Sequence, residues 1–105
     1  KVTVSSTKYP QSAKHIRDAQ KAGKPKTLTV NRKGAAKRRR EALRGTKRTR
    51  GQDRDEYPPA VFKEGGKGSS VRGIAPSDNR GAGASIGNQI KKVKDGDKVT
   101  VEVVD

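Results

Sequence analysis

Two adjacent prolines, Pro58 and Pro59, stand near the middle of the chain and constrain its fold more than any other pair of residues. Proline fixes φ, lacks an amide donor and disfavours helical backbone in the residue before it, so no regular helix crosses this point. Directly before them comes Asp53-Arg54-Asp55-Glu56-Tyr57, with three carboxylates in four residues of a chain whose formal charge is +15. Adjacent acids repel one another and weaken attraction for a polyanion. Their usual use is to hold a divalent cation or to transfer a proton; the plainer reading is a surface turn whose acids pair with Arg54 and nearby lysines.

The charge is unevenly spread. Residues 1–50 hold seventeen Lys or Arg against two acids, Asp18 and Glu41, whereas residues 51–105 hold nine of each. The whole net charge therefore lies in the first half, which points to a basic surface facing a polyanion. Phosphate backbones are the commonest such partner, because neutralising them releases counterions and gives salt-sensitive, sequence-blind binding. With 105 residues, the chain has the length of one domain, and with 28% hydrophobic residues its core must be small. Such a composition alone permits disorder; short periodic segments with clear caps argue against it. The absence of cysteine excludes disulfides, thiolate metal sites and cysteine nucleophiles. No apolar run is long enough to cross a membrane, and a start at Lys1 rather than Met is what a processed or trimmed protein would show.

The expected elements follow from pattern and punctuation. Residues 1–6 alternate as a short strand, and Pro10 opens a helix over Gln11–Ala22 with Ser12, His15, Ile16, Ala19 and Ala22 on its inner stripe. Leu28–Val30 is a second strand and Ala35–Leu43 a second helix, ended by Gly45. After the acidic segment, Val71–Ala75 reads as a strand, Pro76–Gly83 as a turn-rich loop, Ala84–Val93 as a short helix and Lys98–Val104 as the best strand of the chain. The order describes a small α+β domain with a short antiparallel sheet and two or three short helices.

Lys37-Arg38-Arg39-Arg40, with Arg44, Lys47, Arg48 and Arg50, reads as a phosphate track rather than a merely solvated face, given the half in which it lies. With two Tyr and one Phe there is no stacking platform for single strands, so double-stranded backbone is the better match. His15, the only histidine, falls on the inner stripe of its helix and is read as structural. The glycine-rich stretches Gly65-Gly66-Lys67-Gly68 and Gly81-Ala82-Gly83 match neither a P-loop nor a dinucleotide fingerprint, which argues against a nucleotide cofactor.

Four blocks in order, Asp53 to Ala60, Lys63-Glu64-Gly65-Gly66, Ser77-Asp78-Asn79-Arg80-Gly81-Ala82-Gly83 and Ser85-Ile86-Gly87-Asn88-Gln89, together resemble the NucA/NucB-type deoxyribonuclease family, and Tyr9 to Ile16 resembles its N-terminal region. The resemblance implies a single nuclease domain over 1–105, with a basic half at 1–50 and an active-site half at 51–105. It further implies a bacterial, secreted or cell-surface, non-specific endonuclease that hydrolyses DNA with Mg²⁺ or Mn²⁺. The family is similar to the His-Me finger nucleases, whose hairpin and helix carry one metal. Laid against their motif, Glu56 stands where the histidine would be, so Asp55 or Glu56 is the expected base. Asn88, 32 residues after Glu56, is the expected amide ligand, with Gln89 beside it as the alternative. The resulting expectation is a catalytic set of Asp55, Glu56 and Arg80, a metal held by Asn88 and Glu56, and DNA bound by Arg54, Arg80, Lys37, Arg38, Arg39 and Arg40, in a monomer without membrane contact. The rival reading is a non-enzymatic basic nucleic-acid-binding protein, ribosomal or architectural, with no use for the carboxylates.

Overall fold

In a computed structural model that describes all residues 1–105, the elements run β1 (Val2–Ser5), α1 (Pro10–Lys21), β2 (Thr27–Thr29), α2 (Ala35–Leu43), β3 (Asp53–Tyr57), β4 (Ser70–Ile74), α3 (Pro76–Gln89) and β5 (Lys98–Val104). The last strand is the centre of the main sheet. Its alternation puts Val99 and Val101 inward and Lys98, Thr100 and Glu102 outward, which is the pattern of a strand with one buried face. It pairs in parallel with β1, Val2 opposite Val101, and antiparallel with β2, Leu28 opposite Val99. The sheet is thus mixed rather than purely antiparallel, because the two terminal strands lie side by side in the same direction.

Helices α1 and α3 cover this sheet. Ala13, Ile16 and Ala19 of α1 and Ala82 and Ile86 of α3 join Val2, Val4, Leu28, Val99 and Val101 in one core, with Tyr57 and Phe62 as its largest members. Full burial of a ring of this size contributes roughly 1.5–3 kcal/mol, so two aromatic residues supply much of what this chain's composition can give. The Tyr57 hydroxyl donates to Pro25 O at 2.8 Å and accepts from Gln20 Nε2 at 2.9 Å, so its polar end is satisfied inside the core. Strands β3 and β4 form a separate antiparallel hairpin, Asp53 opposite Ile74 and Tyr57 opposite Ser70, with Pro58 and Pro59 just past its paired region.

The third helix departs most from the sequence reading. Residues 76–83 are not a loop but its first two turns, and the helix ends at Gln89 rather than Val93. Pro76 takes the first-turn position, where its missing amide costs nothing, and Asp78 adds a carboxylate to the same turn. Asp78 also reaches across to α1: its two oxygens accept from the backbone N–H groups of Gln11 and Ser12, both at 2.9 Å. Tyr9 offers α1 no side-chain cap, so the cap comes from α3. Gln11 Oε1 returns the contact by accepting from Ala75 N at 2.7 Å. The two helices are thereby clasped at their N-termini, and this fixes the start of α3 against the hairpin.

Candidate functional site

Strand β3 presents its acids to three different helices. Asp53 faces α3, accepting from Asn79 Nδ2 at 3.1 Å and from Arg80 Nε at 3.0 Å, and these two donors hold its carboxyl below the usual carboxylate range. Asp55 faces α1, where its Oδ2 lies 2.7 Å from Nδ1 of His15. That imidazole is 0% exposed and its Nε2 is 2.9 Å from Ser70 Oγ on β4. His15 is therefore buried as expected for an inward helix position, and it also grips the acidic strand. Glu56 faces α2: its Oε2 is 3.3 Å from Arg39 Nη1, its side chain is nearly covered, and burial pushes its carboxyl above the ordinary glutamate value against the pull of the Arg39 and Arg54 charges.

Asp55 and Glu56 open on a groove of about 500 Å³ bounded by α1, α2, α3 and the β3–β4 connection. Its walls include Arg39, Arg54, Asp55, Glu56, Asn79 and Arg80 on the polar side and Val61, Ala82, Ile86 and Ile90 on the apolar side. Two buried oxygens at this groove have no hydrogen-bond partner, Glu56 Oε1 and Ser12 Oγ. Buried polar atoms in folded proteins are nearly always satisfied, so a pair of orphans in one cavity marks a place built for an occupant with donors or positive charge. No three His, Cys, Asp or Glu side chains form a self-sufficient metal cage.

The structure brings Asp55, Glu56, Arg54, Arg39 and Arg80 together, but not Asn88. That residue is exposed and absent from the groove, nine positions after Asn79 and so on the opposite side of α3 at 100° per residue. Gln89 is turned to β1, bonding both N and O of Thr3. Asn79 is the amide that lines the groove. Its early position on α3 was hidden by taking 76–83 as a loop, and Pro76 followed by Asp78 is the start signal that reveals it. Arg38 departs from the expected phosphate track: its guanidinium donates to the carbonyls of Ala60 at 2.8 Å, Lys33 at 3.3 Å and Asn31, and it fastens α2 to the loops around it. Lys37 and Arg40 are exposed.

A hairpin and a following helix that converge on one groove, with acid from the strand and amide and guanidinium from the helix, define a small α+β domain with a hairpin-and-helix site. The family profile described as Deoxyribonuclease NucA/NucB matches residues 4–102, and the chain belongs to that family. It is 47% identical over 94 residues to a protein of Bacillus subtilis (strain 168) named DNA-entry nuclease; the match covers 90% of this chain and 64% of the relative, so the chain spans a little under two-thirds of that protein.

Proposed function

We propose that this chain is a metal-dependent, non-specific DNA endonuclease acting outside the cell. The observation that carries the reading is the unpartnered, buried Glu56 Oε1 in a groove shared with Asp55, Asn79 and three arginines. Hard oxygens of carboxylate and amide suit Mg²⁺ or Mn²⁺, and Mg²⁺ commonly takes one or two carboxylates and leaves the rest of its shell to water and phosphate. Glu56 would hold it, with Asp55 and Asn79 beside it, Asn79 taking the part expected of Asn88. When bound, the ion supplies charge neutralisation at the phosphoryl group.

The chain's own residues account for the rest. Asp55, held through Oδ2 by His15 and lining the groove, takes the proton from the attacking water; carboxylates serve as bases when so positioned. Ser70 holds Nε2 of the same imidazole and so fixes which nitrogen faces Asp55. Arg54 and Arg80 balance the growing negative charge on the phosphate, guanidinium being suited to two-point phosphate contact. The groove's cations are arginines suited to phosphate, so cleavage is expected to follow phosphate geometry with weak sequence preference.

Incubation of supercoiled plasmid with the protein tests the reading. Conversion to nicked and linear forms is expected with Mg²⁺ or Mn²⁺ and none with EDTA. Tight, salt-sensitive binding without cleavage under any divalent metal would replace the enzyme by the basic binding protein, and cleavage indifferent to EDTA would remove the metal.

A further inference from the structure

Beside the catalytic groove lies a second hollow of about 590 Å³ with no apolar residue in its walls. Five arginines line it, Arg39 from α2, Arg48 and Arg50 from the α2–β3 connection, Arg54 from β3 and Arg80 from α3, against one acid, Asp53. Asp53 is already occupied by Asn79 and Arg80. Arg48 and Arg50 are exposed and make no ion pair or side-chain hydrogen bond within the protein. The connection that carries them is tied at its start, where Thr46 Oγ1 donates to Leu43 O at 2.7 Å and accepts from Arg54 Nη1 at 3.2 Å, and it closes a turn before β3, where Gln52 N donates to Thr49 O at 3.0 Å. Like charges gathered in a fixed concavity are costly without a counter-charge, so the hollow is shaped for an anion.

Its position relative to the groove says which anion. The two cavities share Arg39, Arg54, Asn79 and Arg80, and those three arginines are all the cations the groove has. The groove's remaining lining, Pro59, Val61, Ile86 and Ile90 among it, carries no positive charge. We propose that the hollow is a second phosphodiester site, which holds the phosphate next to the scissile one on one side only, so that the strand is gripped asymmetrically about the cleaved bond. The inference rests on the nuclease reading of the groove and adds to it a flanking subsite with Arg48 and Arg50 as its dedicated ligands.

Short duplexes with a single uncharged methylphosphonate on either side of a fixed cleavable phosphodiester test this with unaltered protein. Neutralising the neighbour on one side is expected to raise KM about tenfold, the worth of one charge-assisted contact, and on the other side to change it less than twofold. In R48Q/R50Q that difference disappears, whereas K94Q/K98Q, of equal charge change at residues that line neither cavity, keeps it. Equal sensitivity on both sides, or a difference that survives R48Q/R50Q, overturns the proposal. Binding of the same duplexes in EDTA separates it from the catalytic reading: R48Q/R50Q should lower the slope of log K against log salt by about 2, whether or not DNA is cut. An unchanged slope sinks the subsite even if cleavage is robust. Inorganic phosphate is the last arm; competitive inhibition that R48Q/R50Q abolishes, with no effect of the methylphosphonates, would make the hollow a free-phosphate site and overturn the substrate assignment.

Discussion

Glu56 sits where two demands oppose one another: burial disfavours its charge, and the Arg39 and Arg54 guanidinium groups favour it. Burial is the stronger, so the folded protein holds this proton to a higher pH than the unfolded chain does. Between the unfolded value near 4.5 and the raised folded value, the native state binds more protons, and stability therefore falls as pH rises through that window. Glu56→Gln removes the fall. In metal-free buffer at neutral pH it should stabilise the protein by about 1 kcal/mol, a rise of roughly 4–8 °C in Tm for a domain of this size, while abolishing cleavage. A thermal melt beside the plasmid assay checks both halves, and a lower Tm would contradict the assignment. Asp55 gives the complementary case. If the imidazole holds it for catalysis, His15→Leu should lower kcat about 10–100-fold, the usual loss when an orienting partner is removed, and His15→Asn, which keeps an N–H near the position of Nδ1, should recover part of it. Equal loss in both variants, tracking their melting temperatures, would reduce His15 to packing. The sequence displays the acids plainly because they are adjacent. The His15–Asp55 contact spans 40 positions and joins a helix face to a strand face, so no spacing rule discloses it.

At the scale of elements, the alternation of β5 and the apolar stripe of α1 were legible because each is a buried face with the period of its own backbone. The first two turns of α3 were not, since they contain Gly81 and Gly83, residues that ordinarily lower helical preference. The structure gives one of them a reason. A Cβ at Gly81 would come within 2.6 Å of Cε1 of Tyr9, so glycine is what allows α3 to approach the start of α1 where Asp78 and Gln11 clasp the helices. At Gly83 a Cβ meets nothing within 4 Å. Gly83→Ala should accordingly gain about 0.5–1 kcal/mol from helix preference, whereas Gly81→Ala should lose more than that gain through the displaced ring. Denaturant melts of the two variants should move in opposite directions. Stabilisation by both would mean that Tyr9 yields freely and that the close approach of the helices does not depend on glycine.

Across the whole molecule, the division of charge in the sequence does not become a division in space. Strand β5 lies between β1 and β2, α1 packs on α3, and Arg39 from the basic half meets Glu56 from the balanced half. Cations of both halves thus meet at the groove, Arg39 from the first and Arg54 and Arg80 from the second, and each cation must be judged by what already engages it. In the run Lys37 to Arg40, a uniform phosphate track gives way to three different positions. Arg38 is spent on the carbonyls of Ala60, Lys33 and Asn31, Arg39 borders the groove against Glu56, and Lys37 and Arg40 stand exposed with no acid within ion-pair distance. Salt dependence of DNA binding separates them, because the slope of log K against log salt counts the cations that replace counterions at phosphate. Lys37→Gln and Arg40→Gln should each lower that slope by about 1 where they meet the duplex, with little change in Tm. Arg38→Gln should leave the slope in place and lower Tm, since it strands backbone carbonyls that the guanidinium had satisfied. A slope that fell equally for all three would restore Arg38 to the DNA surface and would require its guanidinium to leave those carbonyls on binding.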